Sequence, residues 1–363
     1  MKIPMVDLKG QYQSLQPEID NAVLQALGET RFILGPNVQA FDDEAAAYLG
    51  VRHAISCASG TDALHLALRA AGIQAGDEII TSAFTFIATA EAIRYIGAVP
   101  VFVDIQEHSF NLDPQLIRAA ITPRTRAILP VHLFGQAADM REILALAQEH
   151  GLLVIEDCAQ CFGSRYSDRM TGAIGCAGAF SFFPSKNLGC YGDGGMITTS
   201  DDDIAAQIKM LRNHGSSQQY HHDVIGYNSR LDELQAVILR IKLRRIDEYN
   251  RERLRVARLY NELLAESALQ TPAIPDDRDH VFHQYTLLCD DRERLRAHLL
   301  ASEIACAVYY PIPLHRQKAF ADTRQPQLPV TESSSEHCLS LPIFPEMTDA
   351  QVHTVCEAIL GVA

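Results

Sequence analysis

The chain lacks any long apolar run and any domain-sized block of basic residues. The uncharged stretch near its middle, residues 170–185, is rich in glycine and falls short of the ~20 apolar residues that a membrane span needs. The first ten residues have no apolar core, so we expect no secretory signal. Asp and Glu total 45 against 31 Lys and Arg, a formal net charge of −14. These features argue against a membrane protein and against one that wraps nucleic acid or lies on an anionic membrane.

The nine cysteines are an odd, scattered set in a chain of 363 residues. Such a set is typical of reduced thiols rather than of a disulfide framework, which predicts a cytoplasmic protein. Hydrophobic residues make up 47% of the chain and charged residues 21%. This is the composition of an ordinary globular protein and excludes disorder of the whole chain. The length corresponds to roughly two domains of ~150 residues each.

Short β-branched runs alternate with amphipathic stretches through the first two thirds of the chain. Most of the runs are apolar on both faces, which is typical of strands in a covered parallel sheet. The alternation predicts an α/β domain. The predicted strands are 54–57, 78–81, 99–104, 127–131, 153–156, 179–183 and 196–199. The predicted helices are 61–71, 87–96, 114–121, 140–150 and 202–211.

The last third of the chain has a different pattern. Residues 231–266 carry many charges with apolar residues at helical spacing, which predicts one long helix that joins two domains. Residues 271–277 are rich in Pro and Asp and predict a loop at a boundary. The remainder mixes strand-like and helical runs, which predicts a small α+β domain. The strand-like runs are 284–288 and 305–309, and the helical runs are 292–302 and 349–360.

Two segments come directly after predicted strands and carry groups suited to a ligand. The run 59–62, Ser-Gly-Thr-Asp, ends a strand and opens a helix, where small residues and free N–H groups suit a phosphate. An ordinary helix N-cap explains the same residues. Asp157 comes after a strand that is apolar on both faces, at the edge of the sheet where α/β proteins bind ligands. A buried carboxylate there needs a cation or a strong donor, although Asp157 also fits a helix N-cap.

Lys186 is the third candidate. It comes after an apolar strand, an aromatic pair and a proline, and four glycines lie soon after it. Burial in such surroundings would lower the pKa of the amine and make it a usable nucleophile. The alternative is an exposed loop lysine. A phosphate cradle, a strand-end acid and a desolvated amine are together the groups that pyridoxal phosphate requires.

Other ligand patterns are weak or missing. No G-x-G-x-x-G comes after a strand, so a dinucleotide site is not supported. Cys158 and Cys161 have the spacing of a redox or zinc half-site, but the chain has no second pair of ligands at a suitable spacing. His132 and the pair 221–222 have no matching carboxylate pattern. We therefore predict no metal site.

Ten segments spread over nearly the whole chain carry a resemblance to one family. They are, in order, VDLKGQY, FILGPNVQAFDDEAAAYLG, SGTDAL, DEIITSAFTFIATA, GAVPVFVDI, LPVHLFGQ, VIEDCAQ, SFFPSKNLGCYGDGG, GYNSRLDELQA and YYPIPLH. The sequence resembles the DegT/DnrJ/EryC1/StrS family of pyridoxal-phosphate-dependent sugar aminotransferases. The resemblance implies the α/β fold-type-I architecture, a large domain with a mostly parallel seven-stranded sheet plus a small α+β C-terminal domain. Residues 1–245 would form the N-terminal arm and the large cofactor-binding domain, and residues 246–363 the linking helix and the small domain.

The resemblance also implies roles around the cofactor ring. Lys186 would be the catalytic residue that bonds covalently to the cofactor. Asp157 would pair with the ring nitrogen, and Gln160 would lie near the ring hydroxyl. Phe86 would stack on the ring, although a core aromatic at a helix start fits the same position.

The cofactor phosphate and the substrate would use further residues. Gly60, Thr61 and Ser181 would hold the phosphate, and Asn228 would reach it from a neighbouring subunit, which implies a homodimer with shared active sites. Tyr309 stands where many relatives have His, so a role for that position is not carried over. The substrate-binding candidates are Tyr220, His221, Arg230, Tyr310 and His315.

The implied reaction is a transamination in two halves. Glutamate (or glutamine) passes its amino group to the cofactor, which becomes pyridoxamine 5′-phosphate and then aminates the ketone of a nucleotide-linked sugar. The motif around Lys186 resembles the branch that acts on 3-keto sugars. The favoured substrate is UDP-2-acetamido-2-deoxy-3-keto-glucuronate, for surface polysaccharide synthesis. Alternatives are a dTDP-3-keto-6-deoxyhexose aminotransferase, a cyclitol aminotransferase, a sugar dehydratase of the same fold, and a non-catalytic regulator.

Overall fold

The computed structural model describes residues 2–361, and a seven-stranded sheet forms its centre. The strands that alternate with helices in the first two thirds build this sheet, and each predicted strand is present within two residues of its predicted bounds. Six shorter strands form three two-stranded ribbons. The strands are β1 His53–Cys57, β2 Glu78–Ser82, β3 Val99–Val103, β4 Thr125–Leu129, β5 Leu153–Asp157, β6 Arg165–Tyr166, β7 Arg169–Met170, β8 Ala177–Ser181, β9 Gly195–Thr199, β10 Ser216–Gln218, β11 His221–His222, β12 Tyr285–Leu288 and β13 Cys338–Leu341.

The sheet has the order β1-β9-β8-β5-β4-β2-β3. Strands β3, β2, β4, β5 and β8 pair in parallel, whereas β9 is antiparallel to both of its neighbours, β1 and β8. The predicted α/β class with a mostly parallel seven-stranded sheet is therefore confirmed. Since parallel strands point the same way, the residues immediately after β1, β2, β4, β5 and β8 gather at one edge of the sheet.

Within the described residues, twelve α-helices surround the strands. They are α1 Leu8–Glu29, α2 Pro36–Leu49, α3 Gly60–Ala70, α4 Ala88–Tyr95, α5 Pro114–Ala120, α6 Met140–His150, α7 Asp202–Leu211, α8 Glu233–Leu243, α9 Ile246–Leu263, α10 Arg292–Ala301, α11 Pro329–His337 and α12 Asp349–Leu360. Successive strand residues point to opposite faces, so Ile79 and Ile80 enter two different apolar clusters, as do Val154 and Ile155. Both faces of the sheet are thus covered, which explains why its strands are apolar throughout. Helices α1 and α2 were not predicted.

The long helix predicted over residues 231–266 is wrong. The structure has two helices, α8 and α9, and a two-residue turn at Arg244 and Arg245 separates them. Helix α8 is buried on nearly all sides, whereas α9 has one buried stripe and one exposed face. Each helix buries its own set of apolar side chains.

The C-terminal part has its own apolar cluster, formed by α9, α10, α12, β12 and β13. Strand β12 pairs antiparallel with β13, which the sequence did not predict. The strand predicted at 305–309 is wrong, because only single bridges form there, from Ile304 to Ile3 and from Ala307 to Ser340. The division of the chain at residue 245 stays a prediction. Among residues 2–361, no helix is both long and apolar enough to cross a membrane.

Candidate active site

A cavity of about 580 Å³ opens at the carboxyl edge of the sheet. Its walls come from the segments after β1, β2, β4, β5 and β8 and from two segments of the last third of the chain. Eight of the residues predicted for the site line it together, namely Gly60, Thr61, Phe86, Asp157, Gln160, Ser181, Lys186 and Tyr310. The fold brings these residues together from positions up to 250 apart in the chain.

Asp157 is the last residue of β5 and is 4% exposed. Its Oδ2 accepts a hydrogen bond from the Thr89 hydroxyl at 2.8 Å, and its Oδ1 accepts one from the Ala159 N–H at 3.1 Å. Burial raises the pKa of Asp157, and these two donors and the amine of Lys186 only partly oppose that effect. The carboxylate is therefore fixed in place at the cavity wall, and no cation of residues 2–361 is bonded to it. A cationic group in the cavity would stabilise it.

The first turn of α3 and the end of β8 form a tight cradle. The Ser59 hydroxyl caps the helix by accepting the Asp62 N–H at 3.1 Å, as the N-cap alternative predicted. The earlier N–H groups of the turn have no partner within a helix, so they suit an anion. A Cβ atom on Gly60 would lie 2.5 Å from the Cβ of Ser181. Only glycine allows this approach, which puts the helix N-terminus beside the Ser181 hydroxyl.

Lys186 lies in a compact turn after β8. Its N–H donates to the Phe183 carbonyl at 2.8 Å, and a Cβ atom on Gly189 would lie 2.4 Å from the Pro184 carbonyl oxygen. Burial lowers the pKa of Lys186 to about 8, although the charge of Asp157 opposes this. An amine with this pKa is partly unprotonated near neutral pH and can act as a nucleophile or base.

Aromatic and amide side chains form the opposite wall. The Gln160 side chain accepts the Phe134 N–H at 2.8 Å and donates to the Tyr310 hydroxyl at 3.0 Å. The ring of Phe86 is 55% exposed and lies 6.3 Å from that of Tyr310, measured between centroids. Phe86 is thus a cavity wall and not a core aromatic, which leaves one face free for a planar ring.

The remaining predicted residues lie outside the cavity of this chain. Tyr220, His221 and Asn228 are exposed, and Arg230 is half-buried with its guanidinium bonded to Asn213 at 3.1 Å. His315 is 1% exposed and its Nε2 lies 2.9 Å from a carboxylate oxygen of Glu332. Within one chain His315 has no access to the cavity, so its contact with substrate stays a prediction.

His132, Cys158 and Cys161 come together directly behind Asp157, with ligand atoms within 4.8 Å of one another. Both nitrogens of His132 already have partners, Glu156 at 2.9 Å from Nε2 and the Ala138 N–H at 3.0 Å from Nδ1. A metal would have to displace one of these buried hydrogen bonds. The cluster is therefore better explained as packing behind the strand end than as a metal centre.

Several cavity residues were missed by the sequence reasoning. They are Thr89, Phe183, Asp193, His283 and Tyr309. Thr89, Phe183, Asp193 and Tyr309 lie in or beside the motifs that carry the family resemblance, but no role was assigned to them. His283 lies outside these motifs, and only the fold brings it to the cavity.

Comparison with known proteins identifies the class. The family described as the DegT/DnrJ/EryC1/StrS aminotransferase family matches residues 13–360. The chain is 51% identical to the UDP-N-acetyl-3-dehydro-alpha-D-glucosamine 3-aminotransferase of Acidithiobacillus ferrooxidans, over 98% of this chain and 97% of the relative. It is 49% identical to the pleiotropic regulatory protein of Geobacillus stearothermophilus, over 99% and 98%. It is 44% identical to the UDP-2-acetamido-2-deoxy-3-oxo-D-glucuronate aminotransferase of Pseudomonas aeruginosa, over 98% and 99%.

Solved structures agree with this result. The crystal structure of S. venezuelae DesV superposes with a TM-score of 0.96 at 44% identity, covering 99% of this chain and 97% of that one. The structure of ntda from Bacillus subtilis, which holds the cofactor PMP, gives a TM-score of 0.94 at 33% identity, covering 99% and 85%. The chain belongs to the DegT/DnrJ/EryC1/StrS aminotransferase family. It is a fold-type-I, pyridoxal-phosphate-dependent sugar aminotransferase.

Proposed function

We propose that this aminotransferase moves the amino group of glutamate to the ketone of a nucleotide-linked 3-keto sugar. The observation that carries the proposal is the single cavity that combines the cradle at Gly60 and Ser181, the carboxylate of Asp157 and the amine of Lys186. These groups fit pyridoxal phosphate, because the cradle offers N–H donors, the carboxylate lacks a bonded cation and the amine has a lowered pKa. When bound, the cofactor supplies an electron sink for the carbanion chemistry of transamination.

The chain's own residues then have separate tasks. The first turn of α3, with Gly60 and Thr61, and the hydroxyl of Ser181 bind the phosphate. Asp157 holds a proton on the ring nitrogen, and Thr89 keeps the carboxylate oriented for this. Gln160 and Phe86 orient the ring from its hydroxyl side and from one face.

Lys186 has two tasks. Its Nζ atom would hold the cofactor covalently until the amino donor binds. The freed Nζ atom takes the α-proton of the donor and later returns a proton to the sugar carbon. A pKa of about 8 suits both proton transfers, because the amine can accept and release a proton close to neutral pH.

The substrate that the resemblance implies is UDP-2-acetamido-2-deoxy-3-keto-glucuronate, the substrate type in the name of the Pseudomonas aeruginosa relative. Two observations favour the 3-keto derivative of UDP-N-acetylglucosamine as a second candidate. The relative with that name is 51% identical. In addition, Lys186 is the one Lys or Arg among the described residues that line the cavity, which also include Asp157 and Asp193, so this lining offers no separate Lys or Arg to a sugar carboxylate.

A second copy of the chain would supply the groups that one cavity lacks. Tyr220 is 85% exposed and Ile225 is 87% exposed, and Asn228 is exposed nearby, all outside the cavity. In the proposed homodimer, Asn228 reaches the partner's phosphate site, and Arg230, Tyr220 and His221 meet the nucleotide sugar. Arg230 would then provide the cation for an anionic group.

A panel of keto sugars tests the proposal. The cofactor-loaded enzyme is mixed with glutamate or glutamine and, separately, the two UDP-linked 3-keto sugars, a dTDP-3-keto-6-deoxyhexose and a cyclitol ketone. Amino products are identified by mass. Amination of one UDP sugar with 2-oxoglutarate formed in equal amount supports the proposal. Amination of only the dTDP sugar or the cyclitol contradicts it, as does an absorbance spectrum that glutamate leaves unchanged.

A further inference from the structure

His283 lies beside Lys186 although the two are 97 positions apart. Its Nε2 atom is 3.5 Å from Nζ of Lys186 and 3.4 Å from the side-chain nitrogen of Gln284. Both neighbours are donors, so Nε2 is an acceptor and the proton of the neutral ring resides on Nδ1. The side chain is 5% exposed, so the contact lies at the inner wall of the cavity.

The surroundings keep the imidazole neutral. Burial keeps the pKa of His283 well below its usual value, and the nearby cations of Lys186 and Arg253 act in the same direction. The nearby charges of Asp157 and Cys161 favour the charged amine of Lys186 and oppose the effect of burial on its pKa. The other titratable residues of the cavity wall are Asp193, Tyr309 and Tyr310. A neutral ring can accept a hydrogen bond from the amine, whereas an imidazolium would repel it.

The backbone around His283 is fixed in an uncommon conformation. Phe282 has a φ of +43°, a region that bulky side chains rarely adopt. Arg253 donates to the Phe282 carbonyl at 3.1 Å, and the Asn187 side chain donates to the Val281 carbonyl at 2.8 Å. Because Asn187 is the residue directly after Lys186, this bond ties the segment of the imidazole to the segment of the amine. Backbone strain held in this way at a ligand cavity commonly serves to place a side chain.

We infer that His283 is a positioning residue for Lys186. Its Nε2 atom accepts a hydrogen bond from Nζ whenever the amine is not bonded to the cofactor, and so it keeps the amine inside the cavity that also holds Asp157. Among residues 2–361 the Nδ1 atom has no hydrogen-bond partner, so the contacts of Nε2 are what orient the ring. The inference rests on the proposed role of Lys186 as the cofactor-bonding lysine.

Two polar variants distinguish the loss of the contact between Nε2 of His283 and Nζ of Lys186 from the general effect of replacing a buried side chain. In His283→Gln the amide reaches the position of Nε2 and can still accept from Lys186. In His283→Asn the amide reaches only the position of Nδ1, so the contact is lost. His280→Asn is the matched control, because His280 is buried in the same segment and its Nδ1 accepts the Phe282 N–H at 3.1 Å, a role that Asn keeps.

The first readout is the pKa of Lys186 in the apoprotein, taken from the pH dependence of its acetylation and measured by mass spectrometry of its peptide. The acceptor favours the protonated amine, so His283→Asn should lower this pKa by about one unit. His283→Gln and His280→Asn should keep it near the native value. No sugar or amino donor is present, so a wrong substrate assignment would leave this result intact.

The second readout is kinetic. In the cofactor-loaded enzyme, His283→Asn should lower kcat about tenfold with KM for glutamate unchanged, and His283→Gln should restore most of it. An unchanged or raised Lys186 pKa in His283→Asn overturns the inference. An equal shift in His280→Asn, or a His283→Gln variant that behaves like His283→Asn, overturns it as well.

Discussion

The side-chain amide of Gln160 donates to the hydroxyl of Tyr310 at 3.0 Å, across 150 positions of sequence. At its other end the amide oxygen accepts the backbone N–H of Phe134 at 2.8 Å. Since a backbone N–H can only donate, the oxygen and nitrogen of this amide have fixed positions. Gln160 therefore links the end of β5 to the C-terminal wall of the cavity in one defined orientation.

Tyr310→Phe should weaken that link. The change removes the acceptor of a buried N–H, so the free energy of unfolding of the apoprotein should fall by about 1 kcal/mol, measured by urea denaturation. Cofactor affinity should fall a few-fold, because Gln160 is the proposed neighbour of the ring hydroxyl. Tyr309→Phe is the control, since Tyr309 lines the same cavity and burial, not a hydrogen bond, is what acts on its hydroxyl among residues 2–361. Equal losses in the two variants would contradict this account.

Gly60→Ala should damage the phosphate cradle. The added Cβ would lie 2.5 Å from the Cβ of Ser181, so α3 or β8 must move and the two walls of the cradle separate. Affinity of the apoprotein for pyridoxal phosphate should fall at least about tenfold in an absorbance titration, which corresponds to ~1.4 kcal/mol. Gly28→Ala is the matched control, because nothing lies within 4 Å of a Cβ there. Native affinity in Gly60→Ala would show that the phosphate binds elsewhere.

The sheet and the strand-end residues of the site were predictable from local patterns. Runs that are apolar on both faces indicate covered strands, and the segments that come after parallel strands meet at one edge of the sheet. The positions of Asp157 and Lys186 after predicted strands therefore predicted a ligand site at this edge of the sheet. The roles of Gln160, Phe86 and Ser181 were predicted from several family motifs that occur in the same order along the chain. One of these motifs alone would not have supported the prediction.

The rest of the site depends on contacts that no local pattern encodes. Thr89 bonds to a carboxylate 68 positions away, and His283 approaches an amine 97 positions away. The break at Arg245 was missed for a similar reason. Helical spacing of apolar residues continues through the break, whereas the burial of α8 differs from that of α9.

Thr89→Val should move the acidic limb of the pH profile. The hydroxyl donates to Asp157 at 2.8 Å and favours the carboxylate, whose pKa is already raised by burial. Loss of the donor raises this pKa further, so Asp157 stays protonated to a higher pH and cannot hold a proton on the cofactor ring. The lower limb of kcat/KM against pH should shift upward by about one unit. Thr85→Val, which removes only the neighbouring hydroxyl at 3.0 Å from Thr89, should shift it less. A profile identical to the native one would contradict the role of Thr89.

Glu156→Gln should destabilise the fold beneath the site. The fully buried carboxylate accepts from His132 at 2.9 Å and from the N–H groups of Gly172, Ile174 and Gly175 at 2.7 to 2.9 Å. Glutamine has only one oxygen, so its amide nitrogen would face donors. The free energy of unfolding at pH 7 should fall by about 3 kcal/mol. In Glu149→Gln, an exposed residue paired with Arg118, it should stay near the native value.

The loss of unfolding free energy in Glu156→Gln should change with pH in a defined direction. Burial alone would raise the pKa of Glu156, but the hydrogen bonds from His132 and the backbone hold it below its usual value. Because the pKa of Glu156 is lower in the folded state, its ionised carboxylate stabilises the fold at pH values above the unfolded pKa of about 4.3. This stabilisation is lost as the pH falls through the pKa of the folded state. The difference between Glu156→Gln and the native protein should therefore shrink in urea denaturations below about pH 4. A difference that grows there would contradict the assignment of a charged Glu156.

Lys186→Ala should abolish transamination while pyridoxamine phosphate still binds. The variant leaves Asp157 and the cradle in place but removes the nucleophile and base, so kcat should fall more than about 10⁴-fold. Borohydride reduction and peptide mass should find the cofactor on Lys186 in the native enzyme and on no lysine in the variant.

Lys242→Met is the matched control, because burial also lowers the pKa of Lys242 to about 8. The Nζ atom of Lys242 lies over the ring of Tyr191 and donates to the Gly189 carbonyl. Lys242→Met should keep the cofactor bonded to Lys186, because a lowered pKa does not let a lysine outside the cavity bond to the cofactor. Cofactor attached to Lys242, or full activity in Lys186→Ala, would contradict the proposed function.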